Sequence, residues 1–258
     1  MPATPTLLRV VEREARVFRR LWRSSVYSSF LTPVLFLAAI GLGLGGLIDE
    51  RNDSVAGLDY LTFVAPGLLA ASAMQTAAGE SMWPVMAGTK WVRTFHAMVA
   101  TPMGPADVYG GLVVWIAVRV AISASAFLLV AAVLGGVPSL LGVLAVPAAV
   151  LCAAAFAAPL AAFAATQDSE MVFPIVLRLG IVPLFLFSGT FFPVSELPGG
   201  LRAASAASPL WHGAELCRAA TTGSIEWSAA AVHVAVLIGC VAAGWWWGTR
   251  TFTRKLAL

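Results

Sequence analysis

The stretch DVYGGLVVWIAVRVAISASAFLLVAAVL, residues 107–134, carries a single arginine and no other charge after its first residue. It exceeds the about 20 apolar residues that take an α-helix across a ~30 Å hydrocarbon core. The next run, 140–165, is equally apolar, and further runs at 28–48, 61–83, 171–192 and 229–249 leave almost no soluble sequence between them. With 59% hydrophobic and 11% charged residues, the chain departs from the roughly 45–50% and 25% of a soluble domain. An all-α integral membrane protein with six transmembrane helices is predicted, forming one transmembrane domain over 1–258 with no room for a separate catalytic domain.

Charge placement sets the expected orientation. Six of the sixteen basic residues lie within the first 23 positions. With Lys90, Arg93, Arg250, Arg254 and Lys255 they place eleven on one side, against Arg51, Arg202 and Arg218 on the other, whose first loop is acidic (Asp49, Glu50, Asp53, Asp59). Lys and Arg concentrate on the cytoplasmic face, so both termini are expected there. This clustering near the membrane, rather than nucleic-acid binding, accounts for the net charge of +3. The charged start lacks a small-residue cleavage motif, so the first span is expected to stay attached.

Residues 5–25 are predicted to form a helix that does not span. Leu7, Val10, Val11, Val17, Phe18, Leu21 and Trp22 share one half of its wheel, and Arg9, Arg13, Arg16, Arg19, Arg20 and Arg23 the other. That division describes a helix lying in the membrane interface over 1–27; packing against a soluble core is the rejected reading, for want of such a core. Two connections are too long to be turns. In 84–106, residues 89–99 read as one short cytoplasmic helix with Trp91, Val92, Phe95 and Val99 on one side and Lys90, Arg93 and His96 around the other, stopped by Pro102, Gly104 and Pro105. Aromatic knobs on a short projecting helix form a docking element, with rest on the membrane surface as the alternative. The external segment 193–228 mixes small, apolar and a few polar residues, a composition suited to re-entrant helices shielded by their neighbours.

Enzymatic chemistry finds little footing. No G-x-x-x-x-G-K-[ST] phosphate loop exists, and Gly41 and Gly45 in GLGLGG form instead a G-x-x-x-G spacing for close helix approach. Cys152, Cys217 and Cys240 read as small thiols without disulfide or metal-ligand spacing. Ser188 with His212 or His233 is the nearest approach to a nucleophile and base, but the serine lacks the preceding glycine of rhomboid-type proteases. Glu80, Arg119 and Arg178 lie at membrane depth, where charge is tolerated when paired or facing a watery cavity. Pairing of Glu80 with Arg119, and snorkelling of Arg178 or its pairing with Asp168 or Glu170, is the preferred reading; a path for an anionic headgroup is the alternative for either arginine.

Four segments carry a family resemblance: APGLLAASAMQTAAGESMW at 65–83, WVRTFHAMVATPM at 91–103, FLFSGTFFPVSELP at 185–198 and PLWHGAELCR at 209–218. In this order they resemble the membrane permeases of type-2 ABC exporters, and within them the lipo-oligosaccharide (nodulation-factor) export branch. The resemblance implies an N-terminal interface helix, a coupling helix between spans two and three, and re-entrant helices between spans five and six. It also implies two ATP-binding subunits that hold the ATP and Mg themselves, so this chain carries no cofactor. Trp91, Arg93, Thr94, Phe95, His96 and Met98 would lie in or beside the coupling helix; Arg13, Arg16 and Arg20 would add a second contact or bind membrane lipid.

A second permease copy, most simply an identical one, would complete the path between spans one and five. Gly41, Gly45, Phe185, Phe187, Ser188, Phe191 and Phe192 are its candidate lining or closing residues. The expected function is outward, ATP-driven movement of an amphipathic, lipid-linked or drug-like substrate across a bacterial plasma membrane. The rivals are a non-transporting assembly or immunity protein of permease shape, and a secondary carrier.

Overall fold

The computed structural model describes residues 6–26, 35, 37–39, 43 and 57–256. The predicted first span at 28–48, with Gly41 and Gly45, lies outside the described residues apart from isolated positions. Among the described residues four helices are long and apolar enough to cross a membrane. In chain order the described helices are α1 (Thr6–Val26), α2 (Tyr60–Trp91), α3 (Thr94–Val99), α4 (Pro105–Val133), α5 (Leu140–Thr166), α6 (Val172–Phe187), α7 (Gly199–Ala206), α8 (Pro209–Thr222) and α9 (Trp227–Leu256). The chain is a multi-pass membrane protein whose described residues form helices and their connections.

α5 is the hub, packed against α2, α4, α8 and α9. Lipid is as apolar as leucine, so helices associate in a bilayer by close packing of small residues rather than by a hydrophobic drive. α5 supplies them: Ala149, Ala153, Ala157, Ala158, Ala161 and Ala162 are fully buried. A Cβ on Gly244 of α9 would lie 2.6 Å from the Pro159 nitrogen, so glycine alone permits that approach. Proline is tolerated at 66, 84 and 159 within helices because neighbouring helices shield the freed backbone groups. Beside this crossing, Tyr109 of α4 donates to or shares its hydroxyl with the carbonyls of Ala158, at 3.0 Å, and Gly244, at 2.9 Å.

The bundle has two ends. The near end carries α1, α3 and the last turn of α9; the far end carries the α4–α5 turn and the end of α8, where the Ser139 amide donates to the Thr221 carbonyl at 3.0 Å. α8 runs alongside the far half of α5, with Gly213 against Cys152 and the Cys217 thiol 3.5 Å from the Ala145 carbonyl. Ser208 caps α8 by accepting from the Leu210 amide at 3.1 Å, with Pro209 at the first helical position and Gly223 (φ 77°) just beyond its end.

Three expectations are corrected. α2 continues unbroken to Trp91 rather than ending at 83, its last residues forming a wider π turn over Ala87–Trp91. There the Thr89 hydroxyl donates back to the Val85 carbonyl at 2.8 Å, a competitor to the regular ladder. The single helix expected over 89–99 is therefore two pieces, separated at Arg93, whose φ is 56°. Span five, expected over 171–192, ends at Phe187, because Ser188 and Gly189 (φ 78°) turn the chain. The helix α1 packs on α4, not on a soluble core: Val10 is 2% exposed, and Cβ atoms on Gly110 and Gly111 of α4 would meet Leu7 at 2.7 Å and Val10 at 2.5 Å. Two glycines flatten α4 enough to seat the apolar stripe of α1.

Candidate functional site

At the near end, the residues expected to dock a partner divide into anchors and displayed groups. Phe95 is 4% exposed, which corrects its reading as an outward knob, and Met98 beside it is buried as well. The Phe95 ring lies where a Cβ on Gly88 would meet it at 2.6 Å, and 6.0 Å from the Phe252 ring of α9. Phe95 thus pins α3 between the end of α2 and the end of α9. Displayed instead are Trp91 at 52%, Val92 at 68% and the exposed Arg93, which sit on the break itself. Thr94 and His96 are half-buried, and His96 Nδ1 is buried without a hydrogen-bond partner among the described residues. A left-handed arginine stores about 1–2 kcal/mol of backbone strain, which the anchoring of Phe95 and Met98 sustains.

Charges tie this platform to its surroundings. Glu80 of α2 and Arg119 of α4 form an ion pair, the arrangement preferred from the sequence. The Arg119 guanidinium also lies 5.5 Å from the ring centre of Phe18 on α1, and Phe18 meets Trp115 edge to face at 5.8 Å. Arg13 pairs with Glu14 and Arg16 with Glu12; Arg16 and Arg20 are exposed. Burial pushes the Glu14 carboxyl above the usual range against the pull of Arg13, with Glu80 adding to the rise. Arg13, Glu14 and Glu80 line a cleft of about 260 Å³ together with Val92, Thr94 and Phe95, so α1, α2 and α3 meet around one polar space.

A second clasp joins the cytoplasmic connections expected from the sequence. Lys90 forms an ion pair with Asp168 and donates to its carbonyl at 3.1 Å, and Lys255 approaches the same carboxylate at 3.6 Å. Asp168 is therefore taken by lysines and not by Arg178, which is exposed on α6. The Asp168 carboxyl is held below its ordinary range, first by its hydrogen bond from Lys90, then by the charges of Lys90 and Lys255.

At the far end the SGTFFP turn closes α6. Phe185 and Phe191 meet at 5.0 Å, nearly perpendicular; Phe192 is half-buried and Phe187 is the exposed member of the set. Ser188 is fully buried, with its hydroxyl 3.2 Å from that of Ser208. It does not reach either histidine: His212 and His233 share an Nδ1 to Nδ1 contact of 2.6 Å, with one ring donating and the other accepting, and both lie against Trp211. The serine and imidazoles of the hydrolase hypothesis are thus engaged separately.

Sequence reasoning missed Arg218, counted only as a basic residue of the external segment. It is buried, 9% exposed, pairs with Glu215, donates to the Gly189 carbonyl at 2.7 Å and the Phe63 carbonyl at 3.4 Å, and lies 4.1 Å from the Phe63 ring centre. It locks α2, α8 and the turn after α6. The spacing of Glu215 and Arg218 at i,i+3 was the available signal. Tyr109 was also missed, although Gly244 and Gly248 form a G-x-x-x-G that marks its cradle.

A bundle of apolar helices around an alanine-rich hub, with an amphipathic helix and a pinned short helix at one end, defines a polytopic helical membrane protein. The chain belongs to the ABC-2 type transporter family, whose signature matches residues 7–221. It is similar to Nodulation protein J of Rhizobium leguminosarum bv. viciae, 29% identical over 216 residues covering 84% of this chain and 82% of the relative. The Rhizobium meliloti (strain 1021) protein of that name is 28% identical over 232 residues, 90% of this chain and 85% of the relative. That of Rhizobium leguminosarum bv. trifolii is 31% identical over 201 residues, covering 76% and 75%. The nodulation branch is the one the four sequence motifs resemble.

Proposed function

We propose that this chain is the transmembrane subunit of an ATP-driven exporter in a bacterial plasma membrane, moving an amphipathic, lipid-linked or drug-like substrate outward. The observation that carries the reading is the near-end platform: Trp91, Val92 and Arg93 are displayed on a break held rigidly by Phe95 and Met98. Two copies of a separate ATP-binding subunit, which hold ATP and Mg, dock there; Arg16 and Arg20 of α1 extend the contact or bind anionic lipid. The near end with both termini is cytoplasmic, by the excess of Lys and Arg there. Six spans cross the membrane, counting residues 28–48 as the first, and α7 and α8 re-enter it from outside.

A second copy of the chain completes the translocation path, with Gly41, Gly45, Phe185, Phe187, Phe191 and Phe192 at or near it and Ser188 behind the turn. ATP-driven closure of the partners pushes the platform, and the push travels through α2 and α4, which Glu80 and Arg119 join. The test is to reverse the displayed charge and apolar contact in Arg93→Glu and Val92→Asp. Retention of the ATP-binding subunit and transport should both fall at least about tenfold, as for loss of a central interface contact, with membrane insertion unchanged. Full transport by the correctly inserted variants would refute the docking assignment.

A further inference from the structure

The far end holds two cavities of opposite character on either side of the α8–α9 contact. One, of about 540 Å³, is lined by Glu215, Arg218, Thr222, Ser224, Glu226 and His233. The other, of about 250 Å³, is an apolar groove whose walls include Leu144, Leu151, Ile225, Trp227 and Val234. They adjoin, because Leu216, Ala219 and Ala230 line both. Neither is lined by residues of the near-end platform or of the SGTFFP turn.

The polar cavity has a definite electrostatic sign. Among the described residues its one guanidinium is fully used: Arg218 is paired with Glu215 and donates to Gly189 and Phe63, so its charge is cancelled within the protein. The Thr222 hydroxyl donates to the Arg218 carbonyl at 2.8 Å and lies 2.7 Å from that of Ser224. His233 has its Nδ1 committed to His212. What remains is the carboxylate of Glu226, which is exposed and accepts only the Ser228 hydroxyl, at 3.0 Å, among the described residues. The cavity therefore presents surplus negative charge, and an incoming group must bring a positive one.

We infer that the two cavities together form a binding site for an ammonium-bearing phospholipid, of the phosphatidylethanolamine class, in the leaflet at the far end. The ammonium sits in the polar cavity against Glu226, and an acyl chain lies in the groove along Leu144, Leu151 and Val234. Charge complementarity selects the head, since a phosphatidylglycerol head brings a net negative charge to a negative cavity. The apolar groove selects a lipid over a soluble amine. Small side chains at Ala219 and Ala230 let one molecule occupy both spaces. Trp227, 73% exposed at the start of α9, has the amphipathic ring that favours headgroup depth, which sets the site at the level of the lipid heads.

Native mass spectrometry of the detergent-purified chain measures this directly, with dioleoyl phosphatidylethanolamine and dioleoyl phosphatidylglycerol added in equal amounts. The wild-type protein should retain the ethanolamine lipid preferentially, and Glu226→Gln should reduce that preference by up to about fivefold, the scale of one exposed charge interaction. Glu226 is exposed and the replacement is isosteric, so the fold is kept; the lipid comparison on wild-type protein needs no variant at all. Ala230→Trp, which fills the junction, should reduce retention of the ethanolamine lipid. Equal retention of both lipids by the wild type overturns the inference. A preference that survives both substitutions overturns it as well, because the lipid then binds elsewhere.

Discussion

Gly88 decides where α3 sits. Its missing side chain makes the space for the Phe95 ring, which would lie 2.6 Å from a Cβ there, and Phe95 lies at the end of a side chain that cannot retreat from Phe252. Gly88→Ala should cost about 1–3 kcal/mol, the usual penalty for overpacking, measured as a lowered unfolding temperature in detergent, and should displace Trp91 and Arg93 from their displayed positions. Glu80 acts at the same scale. Glu80→Gln removes one charge from a half-buried pair beside the cleft shared with Arg13 and Glu14, and should cost about 1 kcal/mol. The reversed pair Glu80→Arg with Arg119→Glu should recover part of that loss in a double-mutant comparison; no recovery would mean the two residues do not act through each other.

Among the elements, the clasp between the π turn of α2, the α5–α6 turn and the end of α9 gives a pH-dependent prediction. Because the Asp168 pKa is depressed in the folded chain, the clasp contributes fully above the ordinary aspartate pKa and is lost as pH falls through the lowered folded value. Wild-type protein should be more stable than Asp168→Asn at neutral pH, and the two thermal unfolding curves should converge in strongly acidic buffer. A constant difference across that range would place the stabilisation in something other than the carboxylate. Elements also show what the sequence made legible. α4 and α5 follow the predicted spans within two residues, because a long uncharged window has no alternative to a membrane helix. The break at Arg93 had no such signal, since an arginine rarely takes a left-handed backbone and only the competing Thr89 bond and the Phe95 seat make it do so. The end of α6 was obscured because the aromatic run Phe191–Phe192 continues the apolar pattern past the turn at Ser188 and Gly189. The docking of α1 was readable in principle from the adjacent glycines 110 and 111, which mark a close approach, but their partner is far away in sequence.

At the scale of the molecule, hydropathy alone specified a polytopic helical protein, and the four motifs led to the family whose signature matches residues 7–221. The site was less legible, because the same residues serve packing and contact: Phe95 and Arg93 are two positions apart, and only the fold assigns one to the core and the other to the surface. The resulting account is of a rigid near-end platform coupled through paired charges to a far-end turn held by Arg218. The measurement that tests it most directly is purification of the tagged chain from its native membrane, with copurifying proteins identified by mass spectrometry and vanadate-sensitive ATP hydrolysis assayed. The account predicts a stoichiometric subunit with a phosphate-binding loop, active in the wild type and lost from Arg93→Glu. A permease that purifies alone, without ATP hydrolysis, or a partner retained equally by Arg93→Glu, would contradict it.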